Sequence, residues 1–178
     1  MKFSIRNLAL GGLMTALGLV FMLMAGIFPM AEFALPALAG MLTIVMVVEA
    51  GYKWAFTTYL ATGLLSIFIC PMKECALYYL VLLGFYPIVK SLLEHKAPVR
   101  EWIGKMLLFN LSAAAIVLAA AFLLRIEDYI WMLSHAWWLF ALGWIALNGV
   151  FVIYDLALTR LISGYIALLR PRLFGRRR

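Results

Sequence analysis

Glu32, Lys73, Glu74, Tyr78, Tyr79, Trp131, His135 and Trp138 fall in three short polar stretches that interrupt long apolar runs. Carboxylates, an amine and an imidazole set among aromatic planes are the chemistry of a small-molecule pocket: flat faces for stacking and a few polar groups to fix orientation. The competing reading is an aromatic belt at a membrane interface. Lys73-Glu74 ahead of Tyr78 and Tyr79 argues for the pocket, because a helix N-terminus favours an anionic ligand group. Asn148 lies deeper in an apolar run, as does Asn110; each is either a helix-to-helix hydrogen bond or a ligand contact.

Catalysis has no comparable footing. The chain carries no phosphate-cradling glycine loop, no paired-histidine zinc helix and no serine elbow. We therefore expect no enzyme, no cofactor and no metal site. Cys70 and Cys75 frame the turn Cys-Pro-Met-Lys-Glu-Cys, and the reading favoured over a small disulfide loop is two free thiols, since one pair is not a framework. Glu49 and Asp155 lie near helix ends, where a carboxylate reaches headgroup water or a neighbouring Lys53 or Arg160.

The elements that must position these residues are membrane helices. Of 178 residues, 67% are hydrophobic and 13% charged, and the mean hydropathy is +1.04. Soluble domains sit near half apolar and a quarter charged, so the bilayer is this chain's solvent. Six apolar stretches are expected to form one all-α transmembrane bundle, a single domain over residues 1–178 with a short basic tail from about residue 170. The spans run from about Asn7 to Phe28, Pro36 to Val48, Trp54 to Cys70, Ala76 to Leu93, the fifth to about Leu124, and the sixth from Trp137 to about Leu169. Pro87 is expected to kink the fourth. Residues 125–135 are expected to form a short interfacial helix. The N-terminal run is longer than a signal-peptide core and is read as an uncleaved span.

Charge orients the bundle. Of the 15 basic residues, all but Lys73 and Arg125 fall at both termini and at alternate turns. By the positive-inside rule that side is cytoplasmic, so both termini face the cytosol. The formal charge of +7 flanks apolar runs and meets anionic headgroups, and no nucleic-acid partner is expected. On the first helix Ala9, Gly12 and Ala16 share one face, and their small side chains permit close approach of another helix, from this bundle or from a partner subunit.

Three segments carry a family likeness: Arg6-Asn-Leu-Ala-Leu-Gly-Gly-Leu-Met-Thr-Ala-Leu17, Leu35-Pro-Ala-Leu-Ala-Gly40 and Glu49-Ala-Gly-Tyr-Lys-Trp-Ala-Phe56. In these, mainly over residues 6–70, the chain resembles the substrate-binding S component of energy-coupling factor (ECF) transporters. The resemblance implies six spans with cytosolic termini in the plasma membrane. It also implies a water-soluble solute held near the outer face by the first external loop and the last three helices. An Ala-xxx-Ala-like step, here Gly12 to Ala16, is then the contact with a transmembrane coupling subunit driven by two ATPase subunits. The alternative is a membrane scaffold or accessory subunit that binds another membrane protein and no solute.

Overall fold

The computed structural model describes residues 4–94, 98–123, 131, 135 and 137–170. The expected interfacial helix of residues 125–135 and the basic tail lie largely outside them. The chain divides into two compact units, residues 1–126 and 127–178. Among the described residues every regular element is helical.

The first unit opens with α1 (Ile5–Ile27), an uninterrupted apolar run stopped by Pro29. A single 3-10 turn, Pro29–Ala31, leads into α2 (Ala34–Ala50). Pro36 falls in the first turn of α2, where a missing N–H costs nothing. α2 ends at Gly51, whose φ of +86° is the left-handed region open to glycine, and whose N–H closes on the carbonyls of Met46 and Val47. That glycine lets α3 (Tyr52–Ile69) begin at the next residue, two positions before the expected start. α3 stops at Cys70, held extended by the following Pro71.

The fourth span begins at Lys73, three residues earlier than expected, and is not a regular α-helix throughout. It runs as α4 (Lys73–Tyr78), a π-helical segment Tyr79–Leu83, and α5 (Tyr86–Leu93). Pro87 lies in the first turn of α5. Its missing N–H and its ring both forbid an ordinary turn onto the carbonyl of Leu83, so the chain widens and breaks ahead of the proline. α6 (Pro98–Leu118) follows, ending in a second π-helical segment, Ala119–Leu123.

Neighbouring helices in this unit alternate in direction. Arg6 at the start of α1 meets Glu49 at the end of α2 at 3.5 Å, and Cys70 at the end of α3 donates to the Met22 carbonyl at 3.2 Å. Gly18 of α1 lies against Thr62 of α3, and Gly40 of α2 against the Leu83 carbonyl. The core gathers Met22, Ala25, Ala39, Met46, Trp54, Ala55, Tyr59, Tyr79 and Ile88.

The second unit is built on α7 (Trp137–Gly164), continued by a third π-helical segment, Tyr165–Leu169. Phe151, Asp155 and Leu158, at helical spacing, are its buried residues.

Among the described residues, four segments are long and apolar enough to cross a membrane: Ile5–Ile27, Lys73–Leu93, Val99–Leu123 and Trp137–Leu168. α2, with 17 residues, is about 25 Å long at 1.5 Å per residue, short of a hydrocarbon core of ~30 Å. α3 carries Lys53, Thr57, Thr58, Thr62 and Ser66. Its hydroxyls are satisfied locally, as where Thr57 bonds the Lys53 carbonyl and Ser66 that of Gly63. α2 is largely enclosed and α3 only on one face, with Phe56, Leu64 and Phe68 exposed on the other, whereas α1, α6 and α7 turn Leu13, Ile27, Leu107, Leu111, Phe122, Ile145 and Ile153 outward. Apolar faces on that scale suit lipid, not water.

Candidate functional site

At the end of the first unit where α1 finishes and α4 begins, four of the nine predicted pocket residues come together. Glu32 lies in the turn before α2 and Glu74 in the first turn of α4. Glu74 accepts a hydrogen bond from the Tyr78 hydroxyl at 3.0 Å, and the buried Tyr78 ring stacks on Phe33 with centroids 4.7 Å apart. Phe33 was not among the predicted residues. Only its place next to Glu32 could have signalled it.

Lys73 is adjacent but engaged. Its ammonium donates to the carbonyls of Ile67 at 2.6 Å and Cys70 at 3.1 Å. A cation there satisfies the open end of α3 and complements the helix dipole. The carboxylates of Glu32 and Glu74 therefore dominate this end. Partial burial, and then repulsion from Glu74, hold the Glu32 carboxyl above its ordinary value of 4.5.

A raised carboxyl favours the protonated form in the folded state, so its destabilising effect is full above the folded pKa and disappears below about 4.5. Glu32→Gln is expected to raise the melting temperature slightly at pH 7, on the order of 1 °C because solvent screens this site. The difference is expected to vanish at pH 4. Thermal scans of both proteins at the two pH values check it, and an equal difference at both excludes the carboxylate as its source.

Tyr79, next in sequence to Tyr78, points elsewhere. It is completely buried, hydrogen-bonded to Thr62, and packed against Gly63 and Gly84 beside Tyr59. Tyr59 in turn donates to the Leu80 carbonyl at 2.6 Å, inside the π-helical segment. This polar layer lies within the bundle, away from the Glu32–Glu74 end. Trp131, His135, Trp138 and Asn148 belong to the second unit. There Trp131 and His135 stack with centroids 6.0 Å apart, Trp138 is exposed, and Asn148 donates to the Trp144 carbonyl one turn back at 2.9 Å.

The predicted docking face is open. Ala9, Gly12 and Ala16 are all exposed, and a side chain added at Gly12 would meet nothing within 4 Å. Packing within the unit uses another face of α1, formed by Gly11, Gly18, Met22 and Ala25.

A second polar arrangement was legible only in part, as the spacing of Glu101 to Lys105. Lys90 and Lys105, expected at the membrane surface, are 0% and 2% exposed. Lys90 pairs with Glu94 at 2.7 Å, and Lys105 pairs with Glu101 at 2.7 Å and Glu94 at 3.6 Å, while its ammonium lies 5.6 Å from the Trp102 ring centre. The i, i+4 spacing of Lys90 to Glu94 and of Glu101 to Lys105 was visible in the sequence, and their burial was not. The cluster ties α5 to α6.

Set against known proteins, the chain matches no protein-family model, no curated protein and no solved structure.

Proposed function

We propose that the chain is the substrate-binding S component of an ECF-type transporter. In this reading it crosses the plasma membrane six times with both termini in the cytosol. It captures a small water-soluble solute at the outer end for uptake driven by ATPase subunits through a coupling subunit. The observation that carries the reading is the open Ala9–Gly12–Ala16 face: α1 covers its other small residues internally and leaves these three to an outside helix. The alternating helix directions of the first unit suit the positive-inside orientation, with Glu32, Lys73 and Glu74 outside and Arg6, Lys53 and Lys90 inside.

Gly12→Leu and Ala16→Leu are expected to abolish co-purification with a coupling subunit while leaving the melting temperature within a few degrees, because the new side chains enter open space. Retained co-purification removes this face from the interface.

The solute class follows from charge. The predicted outer side holds Glu32, Glu74, Glu127 and Asp128 against Lys73 and Arg125. Strongly anionic solutes are disfavoured, and a neutral, zwitterionic or cationic ring compound suits carboxylates beside aromatic planes. Such a ligand is expected to quench tryptophan fluorescence, and Glu74→Ala to weaken it by about tenfold, the loss when a charged hydrogen-bond partner is removed. A screen of water-soluble vitamins, nucleobases and aromatic amino acids with neither quenching nor thermal shift favours the scaffold reading instead.

A further inference from the structure

Cys70 ends α3 and Cys75 lies in the first turn of α4. Their side chains are 1% and 0% exposed and belong to one core cluster, and both thiols are free in this structure. The turn between them is fixed from two sides. Lys73 ties it to the carbonyls of Ile67 and Cys70, and Cys70 Sγ donates to the Met22 carbonyl at 3.2 Å. Whether two cysteines can be bridged depends on the distance and direction of their Cβ atoms, and two thiols buried in the same cluster at the ends of a five-residue step, across a turn tied from both sides, are brought near each other by the fold. Among the described residues no third His, Cys, Asp or Glu joins them in a metal-binding group.

We propose that Cys70 and Cys75 are a dithiol–disulfide pair that covalently joins the end of α3 to the start of α4 at the outer face. The oxidising side is where such bonds persist, so the proposal rests on the outward orientation argued above. Each sulfur gives up its hydrogen, one S–S bond forms, and the two electrons and two protons pass to a disulfide oxidant that leaves as two thiols. Glu74 and Tyr78 lie on the same short helix as Cys75, so the bond holds that wall of the candidate pocket against α3.

The test uses the full chain from membranes prepared without reductant, with a second portion exposed in detergent to diamide, which takes up the same two electrons and two protons to become a hydrazine. Each is denatured and alkylated with a polyethylene-glycol maleimide, and adducts are counted by gel shift. No adducts in either portion, and two after dithiothreitol, are the expected result, with Cys70→Ser and Cys75→Ser each showing one adduct throughout. Two adducts on the wild-type chain in both portions overturn the proposal. Orientation is read separately by a membrane-impermeant maleimide on intact cells, with Lys73→Cys or Lys96→Cys placed in the Cys70→Ser, Cys75→Ser background. Labelling at position 73 alone combined with two free wild-type thiols rejects the pair and keeps the orientation. Labelling at position 96 rejects the orientation and with it the proposal.

Discussion

Gly40→Ala is expected to destroy the fold or lower the melting temperature by about 10 °C or more, although it adds one methyl group. The new Cβ would overlap the carbonyl oxygen of Leu83 and crowd its carbon. A flexible side chain in that place would turn aside, but a backbone carbonyl moves only with its helix. Ordinary overpacking costs about 1–3 kcal/mol. Displacing the π-helical segment adds the layer it supports, including the Tyr59 bond to Leu80. Gly12→Ala is the control, because it enters open space and improves helix propensity by roughly 1 kcal/mol. Thermal scans and size-exclusion profiles of the two variants check the contrast, and a Gly40→Ala protein that melts like wild type would falsify the close approach of α2 to Leu83.

The second large effect is expected at the buried lysines. Glu94→Ala takes from Lys90 a carboxylate at 2.7 Å and from Lys105 one at 3.6 Å, while both ammonium groups stay enclosed. Breaking a buried pair from one side costs about 3 kcal/mol or more, and here Lys90 loses its carboxylate at 2.7 Å while Lys105 keeps that of Glu101. For a chain of this size that is a melting-temperature drop on the order of 10 °C. The sign of a second substitution discriminates the cause. Adding Lys90→Met to Glu94→Ala removes the buried charge and keeps the volume, so the double variant is expected to recover more than half of the loss. Additive losses would mean that side-chain packing, and not charge, sets the stability of this corner.

The helical class and the apolar character of the first, fourth, fifth and last segments were legible because composition and run length decide them without reference to any neighbour. Helix ends were legible where glycine or proline dictates them, as at Gly51 and Pro29. Pro87 signalled an irregularity in the fourth span, but not that it takes the form of a π-helical segment over Tyr79–Leu83. Tyr78 and Tyr79 show why the site was harder. Adjacent helical residues point about 100° apart, so one reaches Glu74 and Phe33 while the other enters the core, and only the packing of α4 on α3 says which. Lys90 and Lys105 fail in the same way. As basic residues near span ends they read as headgroup anchors, and their burial depends on which faces of α5 and α6 meet. Lys73 falls, as expected, at the turn between the third and fourth segments, yet its preference for the carbonyls ending α3 depends on a turn geometry that residue types alone do not give.

Pro87 and Gly40 also bear on how this sequence can drift. The proline withholds an N–H from the Leu83 carbonyl, and that carbonyl lies against α2 at the one residue there without a side chain. Exchange of Pro87 for an ordinary residue supplies an N–H that a regular turn would pair with that carbonyl, and is expected to ease the approach that a methyl at position 40 must make. Taken in the opposite order, the change at 40 comes first and meets that carbonyl in place. The two positions, distant in sequence, are thus expected to be epistatic, with the path that changes position 87 first the easier one.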